Sequence, residues 1–451
     1  MKTKTDKTEL FETTPVTRAV IALVVPTVIS QIITVIYNMA DTFFVGQVGD
    51  PNQVAAASLC LPLFLVTTGL ANLFGIGGAS LISRSLGLGN TDKARKTSAF
   101  CIWTSAAVAL LYGLAIFALR GAILPAVGAD EFTYDFCASY LFWTLTVGAI
   151  PTVLNAALAH LVRAEGYSGQ ASFGVALGGV LNIILDPVFI FGFHLEITGA
   201  AVATMLSNLI ATLYFIALIL IKRGKFHLTI NPRYYSVSDG IPKEVLLVGL
   251  PSSIMNVMGI FSNITLNKLL VHYSNAAVAG IGIAKKIDML SFAIANGLSQ
   301  GVIPLIGYNY SAKNTGRMRS AIKVTLILSL AVTTVGAILL FTCANPLVRA
   351  FINDAETVRY GSMFQRIICI TGPFTAITTV IISIFQSVGQ KGKPLVLSML
   401  RKGGLDVPFM FLLDSLAGAD AIAWATPIAD CGAMLVGILL FVPLWRKMGK
   451  E

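Results

Sequence analysis

Long runs of apolar residues, separated by short polar segments, set the hydropathy pattern of this chain. An α-helix needs about 20 apolar residues to cross the hydrocarbon core of a bilayer, so each run predicts one transmembrane helix. The pattern predicts twelve, at residues 18–44, 53–83, 97–120, 133–158, 171–193, 197–221, 244–271, 276–308, 319–344, 359–387, 394–413 and 420–445. We therefore expect an all-α polytopic membrane protein.

Composition supports this prediction, because only 12% of the 451 residues are charged and 55% are hydrophobic. Soluble domains carry about 25% charged residues. The polar residues 1–14 are not followed by a short apolar core with a small-residue cleavage site, so no cleaved signal peptide is expected. The first span is itself the expected insertion signal.

The net charge of +10 is distributed by loop. Lys and Arg concentrate in both terminal tails and in alternate loops, of which residues 222–243 form the longest. By the positive-inside rule, both termini are expected in the cytoplasm, as an even number of spans requires. The distribution of basic residues then indicates how the chain is oriented in the cell (plasma or inner) membrane. No nucleic-acid partner is expected.

Cysteine and histidine show no pattern typical of metal binding. The six Cys and four His are scattered, without CxxC or ligand spacing. No HExxH or GxSxG motif is evident. We expect neither an enzyme nor a cofactor, and no metal apart from Na⁺ at the acids described below.

The chain contains an internal repeat of six predicted spans. VPTVIS at 25–30 matches LPSSIM at 250–255, and GNTDKAR at 89–95 matches KNTGRMR at 313–319, with offsets of 225 and 224. Six is an even number, so both copies insert with the same orientation. The predicted domains are a cytoplasmic tail (1–17), an N-lobe (18–222), a cytoplasmic linker (223–243), a C-lobe (244–445) and a second tail (446–451).

Parallel repeats of this kind are used by transporters. A substrate route is therefore expected between the lobes near the midplane, opened alternately to each side. Pro26 and Pro251 occupy equivalent positions in the first span of each lobe, where each permits a kink. A helix-bending role and a passive kink at the helix entrance both remain open for Pro26.

Acids within apolar spans are expensive and are functional hypotheses by default. Asp41 lies three and four residues beyond Asn38 and Tyr37, and Asn182 precedes Asp186 by four. Counting along each helix places Asp41 roughly 35 Å and Asp186 roughly 24 Å from the cytoplasmic ends of their spans. Kinking shortens the first figure, so the two acids are predicted to share one site for H⁺ or Na⁺.

Structural alternatives exist for these acids. Asp186 precedes Pro187 and could cap a new helix. Asp41 could cap the end of its helix or lie among lipid headgroups. Neither acid recurs in the second copy of the repeat, however, although Asn38 recurs as Asn263. This asymmetry favours a function specific to the N-lobe.

Other charged residues of the predicted spans favour structural roles. Asp288 is predicted to pair with Lys285, and Asp406 with Lys402, each one helical turn away. Asp430 has no charged partner predicted from the sequence.

Several motifs together resemble the multidrug and toxic compound extrusion (MATE) family, with prokaryotic MepA-like and DinF-like members the most similar. They are YNMADTFFVG at 37–46, GLGNTDKAR at 87–95, RAEG at 163–166, NIILDPVFIFG at 182–192 and QGVIPLIGYNYSAKN at 300–314. The resemblance covers nearly the whole chain. It implies a V-shaped pair of six-helix lobes that exports amphipathic, often cationic compounds in antiport with H⁺ or Na⁺ by rocker-switch alternating access.

The resemblance also implies site residues. In DinF-like relatives a first-lobe cluster is proposed to hold the coupling ion. Its counterparts here are Tyr37, Asn38, Asp41, Asn155, Asn182, Asp186 and Thr204. NorM-like relatives use acids in their seventh and tenth spans, which this sequence lacks, so coupling in the first lobe is favoured.

The expected substrate cleft would include adaptable apolar and amide side chains of the C-lobe, although plain packing is the alternative. The candidates are Met255, Met258, Phe261, Asn263 and Gln300. The expected partners are small organic molecules and the lipid bilayer, and the protein is expected to be a monomer. A lipid-linked saccharide flippase of the same wider superfamily is the alternative function; its cationic cleft would draw on Lys268, Lys285, Lys286 and Arg366.

Overall fold

A computed structural model describes residues 8–449, which form helices joined by short connections. The α-helices are α1 (Thr8–Glu12), α2 (Val16–Gln47), α3 (Pro51–Gly87), α4 (Thr91–Ala126), α5 (Tyr134–Leu141), α6 (Ala149–Ala164), α7 (Ser168–Pro187), α8 (Glu196–Ile221), α9 (Ile241–Val271), α10 (Asn275–Ser311), α11 (Thr315–Thr342), α12 (Ala344–Arg349), α13 (Ala355–Cys369), α14 (Thr371–Ser387), α15 (Gly392–Met399), α16 (Asp406–Ala417), α17 (Ala419–Ile422) and α18 (Ala425–Lys447). The all-α prediction is confirmed.

Nine helices within residues 8–449 are long and apolar enough to cross a membrane, and eleven if each of two bent pairs is one span. The pairs are Tyr134–Val147 with Ala149–Ala164, bent by 51°, and Ala355–Cys369 with Thr371–Ser387, bent by 40°. The remaining predicted span, 394–413, is helical throughout. It carries Arg401, Lys402 and Asp406, so its composition alone does not identify it as a span.

The GNTDKAR and KNTGRMR motifs of the repeat are helix starts. The Asn90 side chain caps α4 by accepting from the backbone N–H of Lys93 at 2.9 Å. Asn314 caps α11 in the same way, accepting from the N–H of Arg317 at 3.2 Å. An N-cap side chain satisfies one of the free N–H groups at a helix start, which explains why Asn recurs in both copies.

Three wider, π-helical segments interrupt the spans at Phe142–Val147, Val188–Gly192 and Leu400–Leu405. The second directly follows Pro187, whose missing N–H removes a regular helical bond. The third contains Gly403 and Gly404. Such segments often occur at functional sites, and two of these lie beside the ionisable residues described below.

The chain divides into two compact units. Unit 1 contains Ile32–Ser253, and unit 2 contains Leu10–Gln31 and Ile254–Glu451. Helices α2 and α9 each contribute their first half to one unit and their second half to the other. The connecting segment after α8 belongs to unit 1, where Phe226 and Leu228 are buried and Trp103 Nε1 donates to the Ile230 carbonyl at 3.0 Å.

The first half of α9 packs closely against α3 within unit 1. A Cβ added at Gly249 would lie 1.9 Å from the carbonyl oxygen of Leu73. A Cβ at Gly77 would lie 2.1 Å from the carbonyl oxygen of Val245. The two backbones approach this closely only because both positions are glycine.

We expect Gly249→Ala to lower the free energy of unfolding by about 1–3 kcal/mol, since overpacking forces the two backbones apart. Gly259→Ala is the matched control in the same helix, because a Cβ at Gly259 meets nothing within 4 Å. Alanine is the better helix former, so this control should melt at or above the wild-type temperature. Thermal unfolding of the two purified variants measures the difference; equal melting temperatures would contradict the packing argument.

The first half of α2 packs against α10 within unit 2. A Cβ at Gly297 would lie 2.6 Å from Val28 Cα, and one at Gly301 would lie 2.9 Å from Val24 Cα. Pro26 lies between these two contacts, and the helix continues through it without a break. Proline has no N–H to donate, which leaves the helical bond at this position unmade.

The segment before α2 is held by the ends of α10 and α11, also in unit 2. Arg317 donates to the carbonyl oxygens of Leu10, Phe11 and Thr14, with Nε to Phe11 at 2.6 Å. Tyr308 donates its hydroxyl to Glu12 Oε1 at 2.8 Å and stacks on Phe11. Residues 10–14 are therefore fixed by polar and aromatic contacts to residues about 300 positions later.

Candidate functional site

The second half of α2 carries Tyr37 and Asp41 and packs against α7 in unit 1. A Cβ at Gly179 of α7 would lie 3.0 Å from Tyr37 Cδ1 and 3.0 Å from Ile33 Cγ2. Because glycine occupies this position, α2 can approach α7 closely. Asp41 then lies near enough to Asp186 for the two carboxylates to interact electrostatically.

Asp186 is held inside unit 1 by its own helix and by α8. It is fully buried, and its Oδ1 accepts from Asn182 Nδ2 at 3.2 Å. The same amide nitrogen donates to Thr204 Oγ1 of α8 at 3.2 Å. α7 continues through Asp186 to Pro187 and into the π-helical segment, so Asp186 does not begin a helix, and the capping alternative is wrong.

Asn155 reaches the same region from α6 through Asn208. Its Nδ2 donates to Asn208 Oδ1 at 2.9 Å, and Asn208 Nδ2 donates to the Thr204 carbonyl at 2.9 Å. α6, α7 and α8 thus present a connected set of amide, hydroxyl and carboxylate groups. Asn208 completes this connection, and its spacing of four from Thr204 is the sequence signal for it.

Four side-chain oxygens of this set are buried without a hydrogen-bond partner within the described residues. They are Asp41 Oδ1, Asn155 Oδ1, Asn182 Oδ1 and Asp186 Oδ2. Buried polar atoms are normally hydrogen-bonded, because leaving one unpaired costs about 1–3 kcal/mol. Four unpaired oxygens on α6, α7 and the second half of α2 form an acceptor-only set suited to a hard cation or a proton.

Tyr140 also interacts with this set, whereas Asn38 bonds within its own helix. Tyr140 of α5, which sequence reasoning missed, interacts electrostatically with Asp41, Asp186 and Tyr37. No spacing rule could have found it, since α5 is distant in sequence from α2 and α7. Asn38 instead turns its Nδ2 back to the Thr34 carbonyl at 2.8 Å, and its side chain also hydrogen-bonds to Tyr37.

The candidate cleft residues of the C-lobe all lie in unit 2. Met255 and Met258 are half-buried, and Met255 Sδ lies 3.8 Å from Arg401 Nη1. Phe261 is 58% exposed, Asn263 accepts from Lys285, and Gln300 accepts from Gln31 Nε2 at 3.2 Å. These five side chains have different partners, and no hydrogen bond joins any two of them within the described residues.

Unit 2 also contains a second group of buried charges. Arg401 of the third π-helical segment is 2% exposed and donates Nε to Asp430 Oδ1 of α18 at 2.6 Å. Its Nη2 donates to Thr375 Oγ1 of α14 at 2.9 Å, and Thr375 donates to Asp430 Oδ2 at 2.8 Å. Asp430, which had no partner predicted from sequence, is therefore fully paired.

The predicted pairing of Asp406 with Lys402 is confirmed, at 3.7 Å. Asp406 is fully buried and also accepts from Ser262 at 2.6 Å and Thr426 at 3.1 Å. The predicted pairing of Asp288 with Lys285 is wrong: no salt bridge joins them within residues 8–449. Lys285 donates to Asn263 of α9 instead, because that amide oxygen lies within reach of its long side chain.

The comparisons with known proteins all identify the same family. The MatE family model matches residues 26–188 and 251–412, with starts 225 positions apart, the offset of the internal repeat. The multidrug export protein MepA of Staphylococcus aureus (strain MSSA476) is 30% identical over 437 residues, 97% of this chain and 96% of MepA. MepA of Staphylococcus saprophyticus is 31% identical over the same shares of both chains.

A crystal structure of a MATE in complex with MaL6 has the same fold, with a TM-score of 0.93 at 23% identity. The match covers 99% of this chain and 100% of the other. The repeated sequence model, the MepA relatives over nearly the whole chain and this fold lead to one conclusion: the chain belongs to the MATE family of membrane transporters.

Proposed function

We propose that the protein exports amphipathic organic cations across the cell membrane in antiport with H⁺ or Na⁺. The observation that carries this proposal is the set of four buried, unpaired oxygens on Asp41, Asn155, Asn182 and Asp186. Two carboxylates close enough to repel each other, with no cationic side chain paired to either within the described residues, require a cation to become stable in an apolar region.

The coupling follows from the charge of this set. When H⁺ or Na⁺ binds at Asp41 and Asp186, their attraction for a cationic substrate falls. Loss of this attraction releases the substrate outward and allows α2 to bend at Pro26, where a helical bond is already missing. The ion must bind the outward-open and inward-open states with different affinities, because a ligand without that difference cannot shift their populations.

The substrate class rests on two lines of support. The MepA relatives are described as multidrug export proteins. Met255 and Met258 offer flexible, polarizable side chains of the kind that suits promiscuous binding. We assign to them the apolar part of the substrate site, with Phe261, Asn263 and Gln300 beside it.

The transport cycle requires both ends of the site to open in turn. We propose rocker-switch alternating access, with both termini in the cytoplasm, an orientation that the distribution of basic residues favours. The protein acts as a monomer in this scheme, because a complete acceptor set is present within one chain.

Purified protein in liposomes tests this function with ethidium as the cationic probe. Separate H⁺ and Na⁺ gradients are imposed at otherwise symmetric composition, and dye fluorescence reports transport. We expect one gradient to drive ethidium against its own gradient and the reversed gradient to reverse the direction. Transport that ignores both gradients would refute antiport.

The alternative, flipping of a lipid-linked saccharide, is tested in the same liposomes. A lectin added outside reports the arrival of a labelled lipid-linked saccharide in the outer leaflet. We expect no acceleration over protein-free liposomes. Rapid flipping without ethidium transport would replace the proposed function by the alternative.

A further inference from the structure

A group of six ionisable side chains in unit 2 lies outside the proposed coupling site. They are Lys285 and Asp288 of α10, Arg401 and Lys402 of the third π-helical segment, Asp406 of α16 and Asp430 of α18. Five of them have hydrogen-bond or ion-pair partners, described above. Asp288 differs: its Oδ1 is buried without a hydrogen-bond partner, and no salt bridge holds it within residues 8–449.

Charged groups on its own helix and on two other elements interact with Asp288. Lys285 lies on its own helix, Arg401 and Lys402 on the π-helical segment, and Asp430 on α18, and all four interact with it electrostatically. From α13 it faces Cys369. Arg401 is committed to Asp430, Lys402 to Asp406 and Lys285 to Asn263, so none of the three cations is paired with Asp288.

Helix α13 carries buried polar atoms that have no hydrogen-bond partner within the described residues. Ser362 and Gln365 are 6% and 0% exposed. Ser362 Oγ and both amide atoms of Gln365 have no hydrogen-bond partner within the described residues. Buried polar groups without protein partners are ordinarily satisfied by internal water, and water is what carries protons between such groups.

Helices α10 and α13 start side by side, which allows depths to be compared. Ser274, at the start of α10, donates to Glu356 in the first turn of α13 at 3.5 Å, and a Cβ at Gly280 would lie 2.7 Å from Gly361 N. At 1.5 Å per residue, Ser362 lies about 10 Å, Gln365 about 15 Å and Asp288 about 20 Å from this end. The two unpaired side chains of α13 therefore lie between the helix starts and Asp288.

We propose that Asp288 is a proton-binding site of unit 2, reached from the common start of α10 and α13 through water held by Ser362 and Gln365. When Asp288 is charged, the six side chains of this group carry three negative and three positive charges, so their net charge is zero. With Asp288 protonated, the group carries one net positive charge. This proton-binding site is separate from the coupling site at Asp41 and Asp186.

Infrared difference spectroscopy of the full-length protein in lipid nanodiscs tests the site. The background variant is Asp41→Asn/Asp186→Asn, which removes the two carboxyls of the proposed coupling site in unit 1. Between alkaline and mildly acidic pH, we expect this variant to gain one carboxylic-acid C=O band at a frequency typical of a weakly hydrogen-bonded acid. Adding Asp288→Asn should remove the band, and adding Asp406→Asn, a buried but fully hydrogen-bonded carboxylate, should leave it.

Persistence of the band in the Asp288→Asn variant, or its loss with Asp406→Asn alone, would overturn the assignment. If Asp288→Asn does not fold, Asp288→Glu keeps a carboxyl at the site and should shift the band rather than remove it; an unshifted band would likewise overturn the assignment. A failure of this kind leaves ethidium transport by the wild type unaffected, which separates it from a failure of the proposed function.

A separate measurement tests the proposed path of proton access to Asp288. Gln365→Leu keeps the side chain buried but removes both amide atoms, and we expect hydrogen–deuterium exchange of the Asp288 carboxyl band to slow at least tenfold. Thr325→Val, whose buried hydroxyl bonds to the Ala321 carbonyl within α11, serves as the comparison variant. Unchanged exchange in Gln365→Leu would rule out access along α13.

Discussion

Asp41→Asn is expected to abolish ion-driven ethidium transport while the protein remains folded. Asparagine has almost the shape of aspartate but cannot release a proton or offer a charged oxygen. Even the outer-shell partners of bound cations are worth about 10–100-fold in affinity, so we expect a fall in gradient-driven rate of at least about 100-fold. Proteoliposomes with the effective gradient imposed provide the measurement.

Asp186→Asn should lower the rate to the same level, and the double variant should be no worse than either single one. Residues that act as a unit give such non-additive effects. Asp50→Asn is the matched control, because Asp50 is an aspartate that only caps α3, through the N–H of Asn52. Undiminished gradient-driven transport in Asp41→Asn would refute coupling at this site.

Arg401→Ala is expected to lower the free energy of unfolding by about 3–5 kcal/mol, since it leaves a buried charge on Asp430 without a partner. Arg401→Lys should recover only part of the loss, because an ammonium group cannot reproduce the fork that reaches both Asp430 and Thr375. Arg401→Met combined with Asp430→Leu should be more stable than Arg401→Ala, as both charges are then removed.

Thermal unfolding of the purified variants measures this series. Arg223→Ala is the control: this arginine is exposed, and surface substitutions usually change stability by less than about 0.5 kcal/mol. A melting temperature of Arg401→Ala equal to that of Arg223→Ala would mean that the buried ion pair contributes nothing to the stability of unit 2.

Apolar runs predicted the helices well because lipid leaves a spanning chain little alternative to the helix. The ends differ mainly where polar caps extend a helix beyond its apolar part: α4 starts at Thr91, not at the predicted residue 97. The segment around Arg401 shows the limit of this reasoning. Its charges are stabilised by Asp430 and Thr375 on other helices, and hydropathy along one helix contains no information about those partners.

The sequence placed Asp41 and Asp186 in one site only with the help of a kink, because helical rise alone gave depths of roughly 35 Å and 24 Å. The sequence does not define how one helix is rotated about its axis relative to another. This rotation decides which side chains are in contact. That is why Tyr140 was missed, and why Lys285 was paired with Asp288 on its own helix rather than with Asn263 on α9. Within one helix, spacing predicts neighbours; between helices, only packing does.

The attachment of residues 10–14 and of the first half of α2 has a consequence for biosynthesis. Their partners in unit 2, among them Gly297, Tyr308 and Arg317, are translated almost 300 residues later. At 5–20 residues per second, a ribosome needs about 15–60 s to reach them. Helix α2 is thus synthesised long before its partners in unit 2, and until they follow, its buried face, with Thr27 and Ser30, is exposed to lipid.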